Sequence, residues 1–166
     1  MIIIGIDPGT RITGYGIIKE ENGIITCIEY GAIKNSPKLS VWECQLRIFD
    51  GMSKIISEYK IDAVAVESQF FSKNPDSTMK IGAARSVALL PASRACLPIS
   101  EYAPKRVKKA IVGTGNATKA QMQLMIQKIL NVREQITPED AADALGIAVC
   151  HLHNYKLMER LNDNIS

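Results

Sequence analysis

Four acidic residues stand where the sequence has little structural use for charge: Asp7, Glu67, Asp140 and Asp143. Three of them end or interrupt apolar runs, and none has a Lys or Arg next to it in the sequence. An isolated ionised carboxylate is very unfavourable in a protein interior unless it is paired or binds a cation. The four acids therefore indicate a site for divalent metal ions.

Oxygen-only ligands favour a hard cation such as Mg²⁺ or Mn²⁺ over zinc. Several carboxylates can hold two ions about 3.5 to 4 Å apart, which activate a water molecule and stabilise the leaving oxygen of an in-line displacement. His151 and His153 lie about 12 Å or more along the helix from Asp143, too far to share its metal, and have no assigned role. We therefore expect Mg²⁺ as the cofactor, replaceable by Mn²⁺, with two ions in each active site.

A cluster of basic residues suits a polyanionic substrate, because only Glu101 adds a negative charge near it in the sequence. Its side chains would contact phosphate groups rather than read bases. Lys119 falls in the first turn of a predicted helix, where a positive charge opposes the helix dipole, so it has a purpose beyond helix stability. For Lys105, Arg106 and Lys109, an ordinary solvated face is the favoured interpretation. The cluster comprises Lys105, Arg106, Lys108, Lys109 and Lys119, and with the four acids it predicts a nuclease.

The elements that must position these residues follow from hydrophobic periodicity and from turn and capping signals. Strands are predicted over residues 2–7, 12–19, 24–34, 61–66 and 98–102, and helices over 41–59, 74–95, 104–112 and 118–132, with a last helix beginning at 137–140. The first three strands suggest an antiparallel meander, and a helix before the fourth implies a parallel crossover. The sequence therefore predicts an α/β fold in which a mixed five-stranded sheet is flanked by helices.

Two of the acids end strands whose faces match. Alternation along a strand places Asp7 on the same side as Gly5, and Glu67 on the same side as Ala65. If the two strands are parallel neighbours, both carboxylates reach the carboxyl edge of the sheet, where open α/β sheets bind ligands. The small residues beside them would let a helix approach closely.

Each acid also has a structural explanation. Asp7 begins a common turn sequence, and Glu67 could be an exposed strand end. Asp140 would lie at the third position of a Thr-capped helix, where an acid complements the dipole. Asp143 is harder to explain, because residues 141–149 otherwise form a buried helix and Asp has poor helix propensity. Asp140 and Asp143 are three residues apart and therefore share one helix face, where their like charges repel each other unless a cation lies nearby.

The composition allows this interpretation without requiring it. At 166 residues and 46% hydrophobic, the chain can bury one core, so we expect one domain over 1–155 and a polar, frayed C-terminal tail over 156–166. The net charge of +3 is mild. Four well-separated cysteines are typical of reduced thiols, and no apolar run approaches the roughly 20 residues of a membrane span, so a cytoplasmic location is expected.

Several separated motifs together resemble the RuvC family of Holliday junction resolvases over nearly the whole chain. They are Gly5-Ile6-Asp7-Pro8-Gly9-Thr10, Thr13-Gly14-Tyr15-Gly16, Val66-Glu67 with Phe70, Ala83-Ala84-Arg85-Ser86, Val107-Lys108, Val112-Gly113 with Gly115, and Asp140-Ala141-Ala142-Asp143-Ala144-Leu145. Small departures occur at Ser68, Gln69 and Gly146, none of which is one of the acids.

The resemblance implies a ribonuclease H-like fold and a homodimer that nicks two opposing strands of a four-way DNA junction symmetrically, in recombination and repair. It implies the branch-migration proteins RuvA and RuvB as partners. It also implies that the dimer forms through the helix that follows Phe70, which carries many small residues between 82 and 92.

The same resemblance assigns roles to individual residues. Mg²⁺ would be held by the four acids, which are also the catalytic set. Lys108 and Lys119 would serve junction binding, with Lys119 also catalytic, and Phe70 matches an aromatic residue that wedges into the junction. Apart from the resemblance, Arg106 is included among the expected DNA contacts as a member of the basic cluster, although an ordinary solvated face is the favoured interpretation for it.

Two other function classes remain open at this stage. The run Gly5-Ile6-Asp7 with Gly9-Thr10 also resembles the phosphate loop of the actin and heat-shock chaperone ATPases, which need two such domains where this chain supplies one. A non-catalytic junction-binding module is the other, but it would leave the repulsion among four acids without a purpose. ATP hydrolysis without DNA would favour the first, and metal-independent binding without cleavage the second.

Overall fold

The chain begins with three consecutive strands and then alternates between helices and strands, as the periodicity predicts. The computed structural model describes residues 1–68 and 74–163. The strands are β1 (Ile2–Asp7), β2 (Ile12–Glu21), β3 (Ile24–Lys34), β4 (Ala63–Glu67) and β5 (Ile99–Tyr102). The helices are α1 (Val41–Glu58), α2 (Pro75–Arg94), α3 (Pro104–Val112), α4 (Lys119–Leu130) and α5 (Glu139–Asp163).

The strands form one mixed sheet in the order β3-β2-β1-β4-β5. Strands β1, β2 and β3 pair antiparallel, whereas β4 pairs parallel to both β1 and β5. Helix α1 leads from β3 into β4, and α2 leads from β4 into β5. The predicted meander, parallel crossover and mixed five-stranded sheet are therefore confirmed.

Alternation along the central strands divides the core into two layers. Ile4 and Val64 point toward α1 and α2 and belong to one buried cluster with residues of those helices. Ile3 and Ala65 point the other way, into a cluster built with α3, α4 and α5. The face that ends in an acid on β1 and on β4 is therefore the face covered by α5.

Helix α5 lies directly on the sheet because glycines leave room for its backbone. A Cβ atom on Gly5 would lie 1.9 Å from the carbonyl oxygen of Ala144, and one on Gly14 would lie 2.1 Å from that of Asp140. Real Cβ atoms do not approach other atoms so closely. The close approach expected from the small residues of β1 is confirmed, and it brings the start of α5 against the end of β1.

The C-terminal part of α5 differs from the prediction of a frayed tail after residue 155. The helix continues to Asp163, although most of its side chains there are exposed. Lys156 Nζ lies 2.7 Å from Glu20 Oε1 and ties this part of the helix to β2. The polar composition of residues 156–166 could not predict this ion pair, because Lys156 and Glu20 are far apart in the sequence. Across the described ranges, no helix combines the length and apolar character of a membrane span.

Candidate active site

Two of the four acids lie at the carboxyl edge of the sheet. Asp7 ends β1 and Glu67 ends β4, and these strands are parallel neighbours with Ile6 opposite Val66. Asp7 and Glu67 are each the next residue after this pair, so both carboxylates reach the same edge of the sheet. The placement expected from strand alternation is confirmed.

The other two acids lie in the first turns of α5. The backbone of Asp140 lies against Gly14, and Gly14 is the direct partner of Asp7 across the antiparallel pair. Asp143 follows one turn later and is only partly buried, although Ala142 on one side is fully packed. The close contact between α5 and the sheet therefore brings the helical acids to the strand ends.

The carboxylates lie close enough to perturb one another. Burial, followed by the negative charges of Glu67, Asp143 and Asp140, raises the pKa of Asp7 from 3.8 to about 7. The pKa of Glu67 is raised by burial and then by Asp143, and the pKa of Asp143 is raised mainly by burial. All of these shifts disfavour the ionised form, and a nearby cation would reverse them. The four acids therefore form one electrostatic unit.

Two lysines of the predicted basic cluster enter this unit. Glu67, Asp143, Lys108 and Lys119 line one cleft of about 290 Å³, with Pro104, Val107, Met122 and Ile147 as its other walls. The positive charges of both lysines lower the pKa of Glu67 and that of Asp143 against the effect of burial. Negative charge on Asp143 in turn raises the pKa of Lys119. Its position at the start of α4, unfavourable for the helix dipole, is thus explained by the acids it faces.

One acidic residue beside the cleft, Glu139, was not predicted from the sequence. Glu139 Oε2 lies 3.3 Å from Lys119 Nζ, in an exposed ion pair between α5 and α4. The two residues are 20 positions apart in the chain, on different helices. Only the adjacency of Glu139 to Asp140 could have drawn attention to it.

Arg106 is directed elsewhere. Its guanidinium lies 5.5 Å from the ring centroid of Tyr102 and donates a hydrogen bond to Asn154. It is not among the residues that line the acidic cleft. The Tyr102 hydroxyl lies 2.8 Å from His151 Nδ1, so His151, to which the sequence gave no role, joins a cluster that links β5, α3 and α5. Phe70 lies outside the described residues.

The donor set suits a hard divalent ion, because every candidate ligand is a carboxylate oxygen. In the parts of the chain that the structure describes, no three His, Cys, Asp or Glu side chains already stand in an arrangement that could hold a metal ion. The fit with a metal therefore rests on the convergence of the acids and on the raised pKa values of Asp7, Glu67 and Asp143. The close approach of the acids and their burial both mean that a bound cation would stabilise the ionised carboxylates.

Comparisons with known proteins agree over nearly the full length. The family model described as "Crossover junction endodeoxyribonuclease RuvC" matches residues 3–151. A protein of that description from Syntrophomonas wolfei is 43% identical over 164 residues, which cover 99% of this chain and 95% of the relative. Another, from Protochlamydia amoebophila, is 46% identical over 151 residues, or 91% of this chain and 90% of the relative.

Solved structures give the same result for the fold. The Thermus thermophilus RuvC in complex with Holliday junction substrate superimposes with a TM-score of 0.89 at 32% identity, covering 95% of this chain and 96% of that one. The yeast mitochondrial Holliday junction resolvase Ydc2 shares the fold at a TM-score of 0.60 and 13% identity, over 89% of this chain and 77% of that one. The expected ribonuclease H-like fold is therefore confirmed. On these matches the chain belongs to the RuvC family of crossover junction endodeoxyribonucleases.

Proposed function

We propose that the chain is an endonuclease that resolves four-way, or Holliday, DNA junctions by paired symmetric nicks in recombination and repair. The observation that carries the proposal is the convergence of four carboxylates, from β1, β4 and α5, at one edge of a ribonuclease H-like sheet. Relatives 43% and 46% identical to the chain, described as crossover junction endodeoxyribonucleases, support the substrate class.

The acids are proposed to be the metal ligands and the catalytic set: Asp7, Glu67, Asp140 and Asp143. Mg²⁺ is the proposed cofactor, with Mn²⁺ able to replace it and two ions in each site. When bound, the ions supply an activated water and stabilise the leaving oxygen of the phosphodiester. The raised pKa values of Asp7, Glu67 and Asp143 support this, because cations favour the ionised carboxylates.

The lysines of the cleft are proposed to hold the scissile phosphate. The negative charge of Asp143 raises the pKa of Lys119 and so favours its protonated form, whose ammonium group can donate to a phosphate oxygen. Lys108, on α3, reaches the same cleft from the side of Glu67. Buried apolar walls such as Val107 and Met122 limit the access of bulk water and strengthen these charge interactions. Phe70 remains a proposed DNA contact on the basis of the family resemblance, and Arg106 on the basis of its place in the basic cluster.

A homodimer is proposed through α2. Met79 and Leu90 are 74% and 54% exposed, and Ser86 lies between them at helical spacing on the same face. Gly82 and Ala83 on that face are small enough to allow a second helix to approach, as a two-fold contact requires. RuvA and RuvB are the proposed branch-migration partners, and the cytoplasm is the proposed location.

Cleavage of a synthetic four-way junction tests this function. The purified protein is incubated with end-labelled junctions of several core sequences, in Mg²⁺ or in EDTA, and the products are separated on a denaturing gel. We expect nicks at symmetric positions in two opposing strands with Mg²⁺ and none with EDTA, while a linear duplex of the same sequence is left intact. Binding without cleavage of any junction would contradict the proposal.

A further inference from the structure

The carboxyl edge of the sheet has a second flank, which carries positive charge and, in the described part of the chain, no buried acid. We call it the α1 edge surface. It is formed by the turn between β1 and β2, the end of β3 and the first turns of α1 and α2. Its exposed cations are Arg11, Lys34, Lys38, Arg47 and Lys80. Over residues 1–68 and 74–163, none of the five takes part in an ion pair.

Hydrogen bonds hold the backbone of this surface in place. Asn35 is buried, and its Nδ2 donates to the carbonyl oxygens of Thr10 at 3.0 Å and Cys44 at 3.3 Å. Arg11 Nη1 donates to the Ser36 carbonyl at 2.9 Å. The β1–β2 turn, the end of β3 and helix α1 are therefore fixed relative to one another. A cavity of about 240 Å³ lies between them, with Arg11 and Lys80 on its rim.

Few acids offset these charges. Glu43, in the first turn of α1, is occupied as a cap, because its Oε2 accepts hydrogen bonds from the backbone and the hydroxyl of Ser40. Asp76 lies in the first turn of α2, and Asp50 lies on α1 beyond Arg47. Both helices also point the positive ends of their dipoles toward this edge. The α1 edge surface therefore has an excess of positive charge.

An aromatic side chain stands among the cations. Trp42, in the first turn of α1, is 77% exposed, and Leu46 one turn later is 59% exposed. An indole ring can pack against sugars or bases, and its N–H can donate to phosphate oxygens. Exposed cations combined with an exposed aromatic ring are typical of surfaces that bind nucleic acid.

The α1 edge surface is close enough to the acids for one duplex to contact both. Arg11 follows Asp7 by four residues, so their Cα atoms lie within about 14 Å. One turn of duplex DNA spans about 34 Å. A duplex whose scissile phosphate lies at Asp7 is therefore long enough to reach the α1 edge surface within one helical turn.

We propose that the α1 edge surface binds the phosphate backbone of a duplex arm of the junction, on the opposite flank of the carboxyl edge from the acidic cleft. The inference rests on the proposed function and adds a second contact region for the same substrate. Its lysines act as independent point charges, since over residues 1–68 and 74–163 none of their ammonium groups belongs to an ion pair. Each phosphate contact then contributes additively to affinity and to its salt dependence.

The test compares two variants that lose the same charge. The first combines Lys34→Gln, Lys38→Gln and Lys80→Gln on the α1 edge surface. The matched control combines Lys54→Gln, Lys60→Gln and Arg94→Gln, exposed cations at or just beyond the C-terminal ends of α1 and α2. The Kd for a four-way junction is measured in EDTA, where cleavage does not occur, between about 50 and 200 mM salt.

We expect the first variant to bind about tenfold or more weakly near 100 mM salt, and its slope of log affinity against log salt to be shallower by about 2 to 3. The control should match the wild type within about twofold. Equal affinities and slopes for the two variants would overturn the inference while leaving wild-type cleavage, and hence the proposed function, intact. Failure of the wild type to bind or cleave any junction would overturn both.

Trp42 supplies a second, local readout, because it is the only tryptophan in the chain. Its fluorescence should change when the wild type or the control variant is saturated with junction. The same change should occur at about tenfold higher DNA concentration in the α1 edge variant. Unchanged emission at saturation would overturn the proposed location of the arm.

Discussion

The two flanks of the carboxyl edge differ in charge, burial and attachment. On the flank covered by α5, Asp7 and Asp143 are partly buried, and burial followed by the charges of neighbouring acids raises their pKa values. On the flank covered by α1 and α2, cations such as Lys34 and Lys80 are exposed and without ion pairs among the described residues. Catalysis requires buried, mutually coupled groups such as these acids. Binding a long polyanion requires only exposed positive charges. Substitutions should therefore be severe and cooperative on one flank, and mild and additive on the other.

The largest effect is expected from Asp143→Asn. The change removes one negative charge from the acidic unit without altering the shape of the side chain. Junction cleavage should fall by about 100-fold or more, because the loss of one electrostatic contributor to a transition state has this size. Junction affinity should change only slightly. Single-turnover cleavage and a binding titration measure the two effects.

The control for this change is Asp50→Asn, an exposed acid on α1. It should leave the cleavage rate unchanged. Cleavage by Asp143→Asn at the rate of this control would show that the acidic unit is not the catalytic one.

Gly14→Ala tests whether the close packing of α5 on the sheet depends on the absence of a side chain at Gly14. The new Cβ atom would lie 2.1 Å from the carbonyl oxygen of Asp140, so the helix must move away from β2. We expect a loss of about 1 to 3 kcal/mol in the free energy of unfolding, measured by urea denaturation, with a lower cleavage rate. Gly115→Ala is the control, because its nearest neighbour would lie at 3.5 Å. Equal stabilities for the two variants would refute the close contact.

Lys119→Gln should produce a smaller effect with a characteristic pH dependence. The charge of Lys119 lowers the pKa of Asp7, Glu67 and Asp143, so its removal lets those pKa values rise further. The acid limb of the pH–rate profile should move to higher pH, and the rate at neutral pH should fall about tenfold. Lys128→Gln, an exposed lysine at the far end of α4, should leave the profile in place. A lower rate with no movement of the acid limb would argue against the coupling.

The last effect concerns the stability of the metal-free protein. The pKa of Asp7 is about 7 in the folded state against a usual 3.8, so between these values the folded chain holds a proton that the unfolded chain has released. Stability in EDTA should therefore fall as pH rises through this window and level off above it. Asp7→Asn should flatten the decline, as thermal unfolding at pH 5 and pH 8 would show. An equally steep decline in that variant would exclude Asp7 as the source.

Much of this comparison could be predicted from sequence because it follows from local periodicity. Alternation placed Asp7 and Glu67 at strand ends, and the three-residue spacing placed Asp140 and Asp143 on one helix face. Their encounter needed only that β1 and β4 be parallel neighbours, which a helical crossover favours. The small residues on β1 correctly indicated that a helix packs there.

Other features depend on contacts between residues distant in sequence. The ion pair of Glu139 with Lys119 joins two helices, and the bond of Lys156 to Glu20 extends α5 into the predicted tail. Local composition carries no signal for either. The α1 edge surface was missed for the same reason, since Arg11, Lys38 and Lys80 come from three separate segments that only the fold brings together.

The central claim is that the four carboxylates form one divalent-metal site, and a Mn²⁺ titration followed by electron paramagnetic resonance tests it most directly. The wild type should bind Mn²⁺ at pH 8 in competition with Mg²⁺. Asp7→Asn should bind at least about tenfold more weakly, because it removes one ligand and one charge from the site, and Asp50→Asn should bind like the wild type. Mn²⁺ binding that is absent from the wild type, or unchanged in Asp7→Asn, would contradict the account.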